Sequence, residues 1–269
     1  MTESIADTRT AQPHAQDRAT EDGPDAATGP KNVAAAHETL SPADIAAIKN
    51  LVTDDDTPVD NLFSEKQRRL LTSPLNVNWH GPDEGRPFLV AADVGVFRTP
   101  QEPPLVPDVF LSLDVTRPAD WWQKEGRSYF IWHYQKAPDV VIEIVSNAEG
   151  GETGTKFDRY ALFGVPYYVI FDPQKEVQTD LLRAYERTSK GVYVDCSASY
   201  FPGVGLGLQL WTGEFEGDEA TWLRWQDASG ARIQTGAEKA EQESKRADRL
   251  AAQLRSLGVT PDNGDSPLK

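Results

Sequence analysis

One run of eight residues constrains this chain more than any other. Asp139 to Ser146 (DVVIEIVS) is almost continuously apolar and β-branched around a single acid, Glu143. A run with no polar face reads as a strand covered on both sides, so it demands a sheet with a layer packed on each face. A polar, Gly-rich loop follows, Asn147 to Gly154. Thr155 to Phe163 (TKFDRYALF) then reads as a helix closed by Gly164 as its C-cap. Val165 to Phe171 (VPYYVIF) is a second buried strand, stopped by Asp172-Pro173. Strand, helix and strand in that order form a crossover unit that joins two parallel strands.

The flanks extend this unit. Ser41-Pro42-Ala43-Asp44 has the form of a helix start, with Pro at the first helical position, and a short helix through Leu51 follows from it. Asp60 to Leu71 (DNLFSEKQRRLL) suits an amphipathic helix that leaves Glu65, Lys66, Arg68 and Arg69 partly exposed and stops at Pro74. Phe88 to Phe97, with Asp93 in its middle, and Asp108 to Val115 read as strands. Beyond Pro173 come shorter strands at Leu181 to Glu186, Gly191 to Cys196, Gly207 to Trp211, Thr221 to Gln226 and Ala231 to Gln234, a mostly antiparallel extension. Gly236 to Gly258 is rich in Ala, Glu, Lys, Arg and Gln. Ala240, Ala247, Leu250, Leu254 and Leu257 fall near a heptad register, with Glu243 at one core position. A docked or solvated helix and a self-associating coiled coil both fit that pattern.

The expected organisation is a disordered acidic tail over 1–40, an α/β domain over 41–235, a C-terminal helix over 236–258 and a second disordered tail over 259–269. Residues 1–40 are nearly free of large apolar side chains and cannot offset the entropy of ordering. The chain carries a formal net charge of -15, and residues 1–60 hold 12 acidic against 4 basic side chains. That balance argues against broad, nonspecific nucleic-acid binding but leaves room for a local basic face. The segment between Asp108 and Glu143 sets Arg117, Lys124, Arg127 and Lys136 against Asp114, Asp120, Glu125 and Asp139, a balanced count, and its aromatics and cations suit either a DNA-facing flap or packing on the sheet. No apolar run approaches the roughly 18 residues of a membrane span, and the acidic N-terminus does not read as a signal peptide, so a soluble, cytoplasmic protein is expected. The single Cys196 excludes an intramolecular disulfide and a Cys-based zinc site. The four histidines have no HxxxH or HExxH spacing.

Three residues carry the chemistry. Asp108 opens one strand, Glu143 lies inside the next buried strand, and Lys156 begins the following helix. An ionised Glu in an apolar strand is costly to bury without a partner. A divalent cation held by Asp108 and Glu143 would be one, since two carboxylates, a main-chain carbonyl and waters form the oxygen shell Mg²⁺ prefers. Lys156 could then orient a water and balance phosphate charge. Each has a plainer role open to it: a turn or strand-end hydrogen bond for Asp108, a buried salt bridge with Lys156 for Glu143, a solvated first-turn position for Lys156. Glu65 is an additional candidate ligand, Asp93 a residue bordering the site, and Tyr160, one turn after Lys156, a group that steers the lysine or touches a phosphate. A phosphate-binding loop at GGETGTKF fails on its residues, because Thr155 separates Gly154 from Lys156 and Phe157 stands where a hydroxyl is needed.

The segments VPDVFLSLDV (Val106 to Val115), PDVVIEIVSN (Pro138 to Asn147) and TKFDRYALFGVPYYVIFDP (Thr155 to Pro173), with GLGLQLWTGEFEG (Gly205 to Gly217) and the Glu/Ala/Arg-rich tail, resemble the Uma-two family of restriction-endonuclease-type proteins. That family lies within the PD-(D/E)xK nuclease superfamily. The resemblance runs from about Asp60 to Gly258. It implies a restriction-endonuclease-like mixed sheet flanked by helices and Mg²⁺-dependent (or Mn²⁺-dependent) hydrolysis of phosphodiester bonds in DNA. Asp108 and Glu143, with the Ile144 carbonyl, would be the metal ligands, and Lys156 the catalytic lysine. The chain departs from the superfamily pattern at Val145, two residues after the acid, where the lysine usually stands. Lys156 on the helix would take its place. Many nucleases pair to cut both strands, so a homodimer is expected. The alternative is a catalytically inactive nuclease-fold protein that serves as a binding or interaction module.

Overall fold

The computed structural model describes residues 42–49, 61–83, 85–117, 120, 122–147 and 151–259. The expected N-terminal tail, the acidic loop at Asp54 to Pro58 and the end of the chain from 260 lie outside the described residues.

The α/β class is as expected, with a mixed sheet at its centre. Helix α1 is Pro42–Lys49 and α2 is Leu62–Asn78. Strands β1 (Phe88–Ala92), β2 (Val96–Phe97) and β3 (Val109–Leu113) follow. The excursion between β3 and the central strand contains a 3₁₀ turn at Lys124–Gly126, β4 (Tyr129–Phe130) and the single-turn helix α3 (Ile131–Tyr134). The central unit is β5 (Val140–Ile144), α4 (Thr155–Phe163) and β6 (Tyr167–Phe171). The chain then runs through β7 (Leu182–Arg187), β8 (Tyr193–Cys196), β9 (Gly207–Phe215), β10 (Asp218–Gln226) and α5 (Gly236–Ser256).

Six strands form the main sheet in the order β1-β3-β5-β6-β7-β8. The pair β5 and β6 is parallel and the other four pairings are antiparallel. Successive side chains of a strand point to opposite faces, and β5 divides accordingly. Val140, Ile142 and Ile144 join the core beneath α2, which includes Leu71, Leu75, Leu223 and Trp225. Val141 and Val145 join the core beneath α4, with Tyr160, Phe163, Tyr168 and Ile170. Glu143 alternates with the second set and therefore points at α4. Phe110 of β3 belongs to the same face, and Asp108 lies just before that strand.

The hairpin of β9 and β10, joined through Glu216 and Gly217 at positive φ, is longer than the sequence pattern suggested. It locks α2 in place. Gln67 pairs with both backbone groups of Leu223, Trp225 Nε1 donates to the Leu71 carbonyl, and Phe63 stacks on Trp222 at 4.9 Å. This docking explains two departures from expectation. Helix α2 runs through Pro74 to Asn78 rather than stopping there, because Pro74 and Leu75 are buried and their burial offsets the bond the imide cannot make. Arg68 is buried at 4% exposure rather than on the outer face, because its turn of α2 lies over the start of β3.

Two further expectations are corrected. Asp93 is not inside a strand: it ends β1 in the left-handed region at φ 56, where its short polar side chain tolerates the turn between β1 and β2. Ala231 to Gln234 forms no strand, only a single bridge between Gln226 and Arg232.

Arg224 is 1% exposed and fastens α5 to the fold through a two-point bond to Glu238, at 3.0 and 2.7 Å, and a bond to the Ile233 carbonyl. Thr235 and Glu238 form a capping box at the same end. Burial opposes the charge on Glu238, but the Arg224 fork and the Thr235 N–H outweigh it and hold the carboxyl below its ordinary value. A depressed carboxyl stabilises the fold above its unfolded pKa and stops doing so as pH falls through its folded one. Glu238→Gln should therefore cost about 1–2 kcal/mol at pH 7, measured by denaturant unfolding. The gap to wild type should close below about pH 4, the ordinary Glu range.

Candidate functional site

The site is built from strand periodicity and one helical turn. Glu143 is 1% exposed, next to the last residue of β5, on the face under α4. Lys156 and Tyr160 lie four residues apart on α4, so both reach down to the same strand. Tyr160 donates its hydroxyl to Glu143 Oε1 at 2.7 Å. Lys156 Nζ lies 2.8 Å from Glu143 Oε2. The plainer reading of Glu143, a buried salt bridge with Lys156, is thus present in the structure.

Asp108 enters from the neighbouring strand. The β3–β5 ladder ends at Val109 and Ile142. Past it, Asp108 Oδ2 accepts from the Ile144 N–H at 2.7 Å, supplying a partner for that buried backbone donor. Asp108 Oδ1 accepts from Arg68 Nη1 at 2.6 Å, and the same nitrogen lies 3.0 Å from Asp93 Oδ1. Asp93 thus borders the cluster through Arg68. Glu65 does not join it: its carboxylate accepts two bonds from Arg69, at 2.6 and 3.1 Å, on the exposed side of α2, where Arg69 also reaches Glu216.

The charges are close enough to act on one another. Burial pushes the Glu143 carboxyl above the usual carboxylate range; the Lys156 ammonium, 2.8 Å away, opposes this and the Asp108 charge adds to it. Burial also raises Asp108, against the Ile144 N–H and the charges of Arg68 and Lys156. For Lys156, burial works to lower its pKa, but Glu143, Glu152 and Asp108 together hold it above the usual lysine value. Burial and the neighbouring Glu143 hold the Tyr160 hydroxyl far above its ordinary range, so it stays a proton donor.

Sequence reasoning missed two members of the cluster. Arg68 was assigned to the solvent side by its helical position. Glu152, in the loop before α4, is 5% exposed, and its Oε1 lies 3.4 Å from Lys156 Nζ. Its spacing of four residues from Lys156 was the available signal. The other buried aspartate, Asp172, has a structural role: it accepts the N–H groups of Glu176, Val177 and Gln178 in the turn after β6.

Solvent reaches the cluster at Lys156 and Asp93, whose side chains are 29% and 45% exposed. A cleft of about 900 Å³ lies elsewhere, between Trp79, Arg86, Phe88 and Arg117. Phe88 pairs with Leu113, the end of β3 remote from Asp108.

A hard divalent cation suits these donors. Each of the Asp108 and Glu143 carboxylates accepts two hydrogen bonds and so keeps lone pairs in reserve. Their buried negative charge already requires cations, Arg68 and Lys156, to balance it. Among the described residues no group of three or more His, Cys, Asp or Glu converges as a ready-made cage. A two-carboxylate set is what Mg²⁺ commonly uses, since it retains several of its waters.

If Glu143 is kept for its charge, the fold should not need it. Glu143→Gln preserves the Tyr160 bond and removes a buried charge, and Lys156 retains Glu152 and solvent. Stability should stay within about 1 kcal/mol of wild type or rise, as read from the denaturant midpoint.

Residues 57–199 match the family model Uma2, described as "Putative restriction endonuclease". The mixed six-stranded sheet with its flanking helices is consistent with a restriction-endonuclease-like fold. No curated protein and no solved structure matches the chain. No helix among the described residues is long and apolar enough to cross a membrane.

Proposed function

The chain belongs to the Uma2 family, and from that membership and the Asp108–Glu143–Lys156 cluster we propose that it is a Mg²⁺-dependent endonuclease that hydrolyses phosphodiester bonds in DNA. The observation that carries the reading is the convergence of a buried aspartate, a buried glutamate and a helical lysine at the ends of β3 and β5. Asp108, Glu143 and the Ile144 carbonyl would hold Mg²⁺ or Mn²⁺. When bound, the ion supplies neutralisation of phosphate charge and acidification of water.

The chain's own residues supply positioning. Tyr160 fixes the Glu143 carboxylate through one oxygen. The Ile144 N–H fixes Asp108 and ties the two strands together. Lys156, the most solvent-accessible member of the triple, orients the water that adds to phosphorus and balances charge on the phosphate as a P–O ester bond breaks. Its place on α4 serves the role that Val145 cannot fill.

The test is nicking of supercoiled plasmid with Mg²⁺ or Mn²⁺. Asp108→Ala, Glu143→Ala and Lys156→Ala should each lower the rate at least about 100-fold. Activity that survives Glu143→Ala and Lys156→Ala would move the site elsewhere. A second reading, a catalytically inactive module that keeps the fold for binding, draws on one observation: Arg68 and the Ile144 N–H between them occupy both oxygens of Asp108. On that reading neither metal supports cleavage, and a gel-shift assay still detects DNA binding.

A homodimer through α5 belongs to the same proposal. No residue of α5 is buried, and Leu250, Leu254 and Leu257 are exposed. The first half of α5 carries Glu238, Glu241 and Glu243 with Lys239 and Lys245, and its second half Arg246, Arg249 and Arg255 with Asp248, so the N-terminal half is the more acidic and the C-terminal half the more basic. Antiparallel pairing with a second copy sets the acidic half against the basic half. Light scattering should give twice the 29.7 kDa chain mass, and Leu250→Lys with Leu254→Lys should return the monomer. A wild-type monomer at micromolar concentration would contradict it.

A further inference from the structure

The loop before α4 holds a carboxylate that the fold itself leaves unused. Glu152 is buried, its Oε1 is at the long limit of contact with Lys156, 3.4 Å, and its Oε2 is buried with no hydrogen-bond partner. Buried polar atoms are nearly always paired, so this one asks for a donor that arrives later. The loop is not free to carry it outward. The Glu152 carbonyl accepts the Tyr168 hydroxyl at 2.9 Å, and the Gly151 carbonyl accepts the N–H groups of Gly154 and Lys156 at 3.1 and 3.0 Å.

Lys156 stands between two buried carboxylates and is close to only one. Its ammonium is 2.8 Å from Glu143 Oε2 and 3.4 Å from Glu152 Oε1. A divalent ion on Glu143 would take over the oxygen that Lys156 now holds and would repel the ammonium at short range. The nearest acceptor with capacity is then Glu152, four residues earlier in the loop before α4 and within reach of the flexible Lys156 side chain.

We propose that Glu152 is the positioning residue of Lys156: it receives the ammonium when a divalent cation displaces it from Glu143, and holds it at the mouth of the site. This rests on the proposed function only for the cation at Glu143. Glu152 is not itself a ligand, because Asp108, Glu143 and Glu152 do not converge as a metal cluster. A lysine held between the cation and solvent faces the phosphate, where one left on Glu143 would compete with the ion.

The experiment follows the ammonium directly. The full chain is labelled with [¹⁵N]lysine, the Lys156 side-chain signal is assigned by its loss in Lys156→Arg, and Mg²⁺ is titrated in. In wild type the signal should move with Mg²⁺ yet remain protected from exchange with water. In Glu152→Gln, which is nearly isosteric, Mg²⁺ should speed that exchange at least tenfold, while Mg²⁺ affinity by calorimetry stays within twofold. Glu152→Asp, which keeps the charge, should recover part of the protection and serves as the second variant if Glu152→Gln folds poorly. A signal that ignores Mg²⁺ in wild type, or stays protected in Glu152→Gln, overturns the proposal. So does a tenfold loss of Mg²⁺ affinity in Glu152→Gln, which would make Glu152 a ligand. Plasmid nicking separates the two claims. Cleavage with an unmoving Lys156 signal sinks this inference alone, and a moving signal without cleavage sinks the nuclease reading alone.

Discussion

A carboxylate buried inside a β-sheet has to be answered by positive charge, and the Glu143 end of the central sheet is arranged around that requirement. Glu143 is enclosed by Val141, Val145, Tyr160 and Tyr168 on the α4 face of β5. Water cannot solvate it, so Lys156 and Tyr160 do so from the first turns of α4. Asp108 poses the same problem at the adjoining strand end, and Arg68 and the Ile144 N–H answer it. The two solutions share one small volume, and their charges act on each other.

Such an arrangement is a poor way to stabilise a fold. Desolvating ion pairs costs about as much as their attraction returns, and apolar residues of similar shape often do better. The neighbouring layers show what purely structural packing looks like here: the Phe63–Trp222 stack, the Gln67 clamp on Leu223, the aromatic cluster of Tyr168, Tyr185 and Tyr193. Against that background a pair of buried acids, each held by a cationic side chain, fits the proposed cation site better than a role in stability. Family membership points to nucleases, and the donor atoms suit a hard divalent ion.

Much of this was legible in the residues. Thr155–Phe163 and its Gly164 cap emerge at the expected positions because helix period, Gly cap and β-branched flanks all agree there. The triple of Asp108, Glu143 and Lys156 was visible because an acid in a β-branched strand contradicts its surroundings. What stayed hidden depended on contacts distant in the chain. Arg68 reads as a solvent-facing helix residue until β3 is laid beneath α2, with 40 residues separating it from Asp108. Helix α2 passes Pro74 because the β9–β10 hairpin, some 150 positions away, buries that turn. Asp93 looked like a strand residue because its Ala and Val neighbours are strand formers, whereas its backbone adopts the left-handed region. Glu152 sat in a polar loop, where an acid carries no sign of burial.

The central claim is that Asp108 and Glu143 exchange their protein cations for a divalent ion. Anomalous diffraction from crystals of the full chain soaked in Mn²⁺ tests it most directly. The account predicts a single strong peak within bonding distance of both carboxylates, about 2.0–2.2 Å from their oxygens, with the Lys156–Glu143 pair opened. Crystals that diffract well yet show no peak there, with both ion pairs intact, would contradict it.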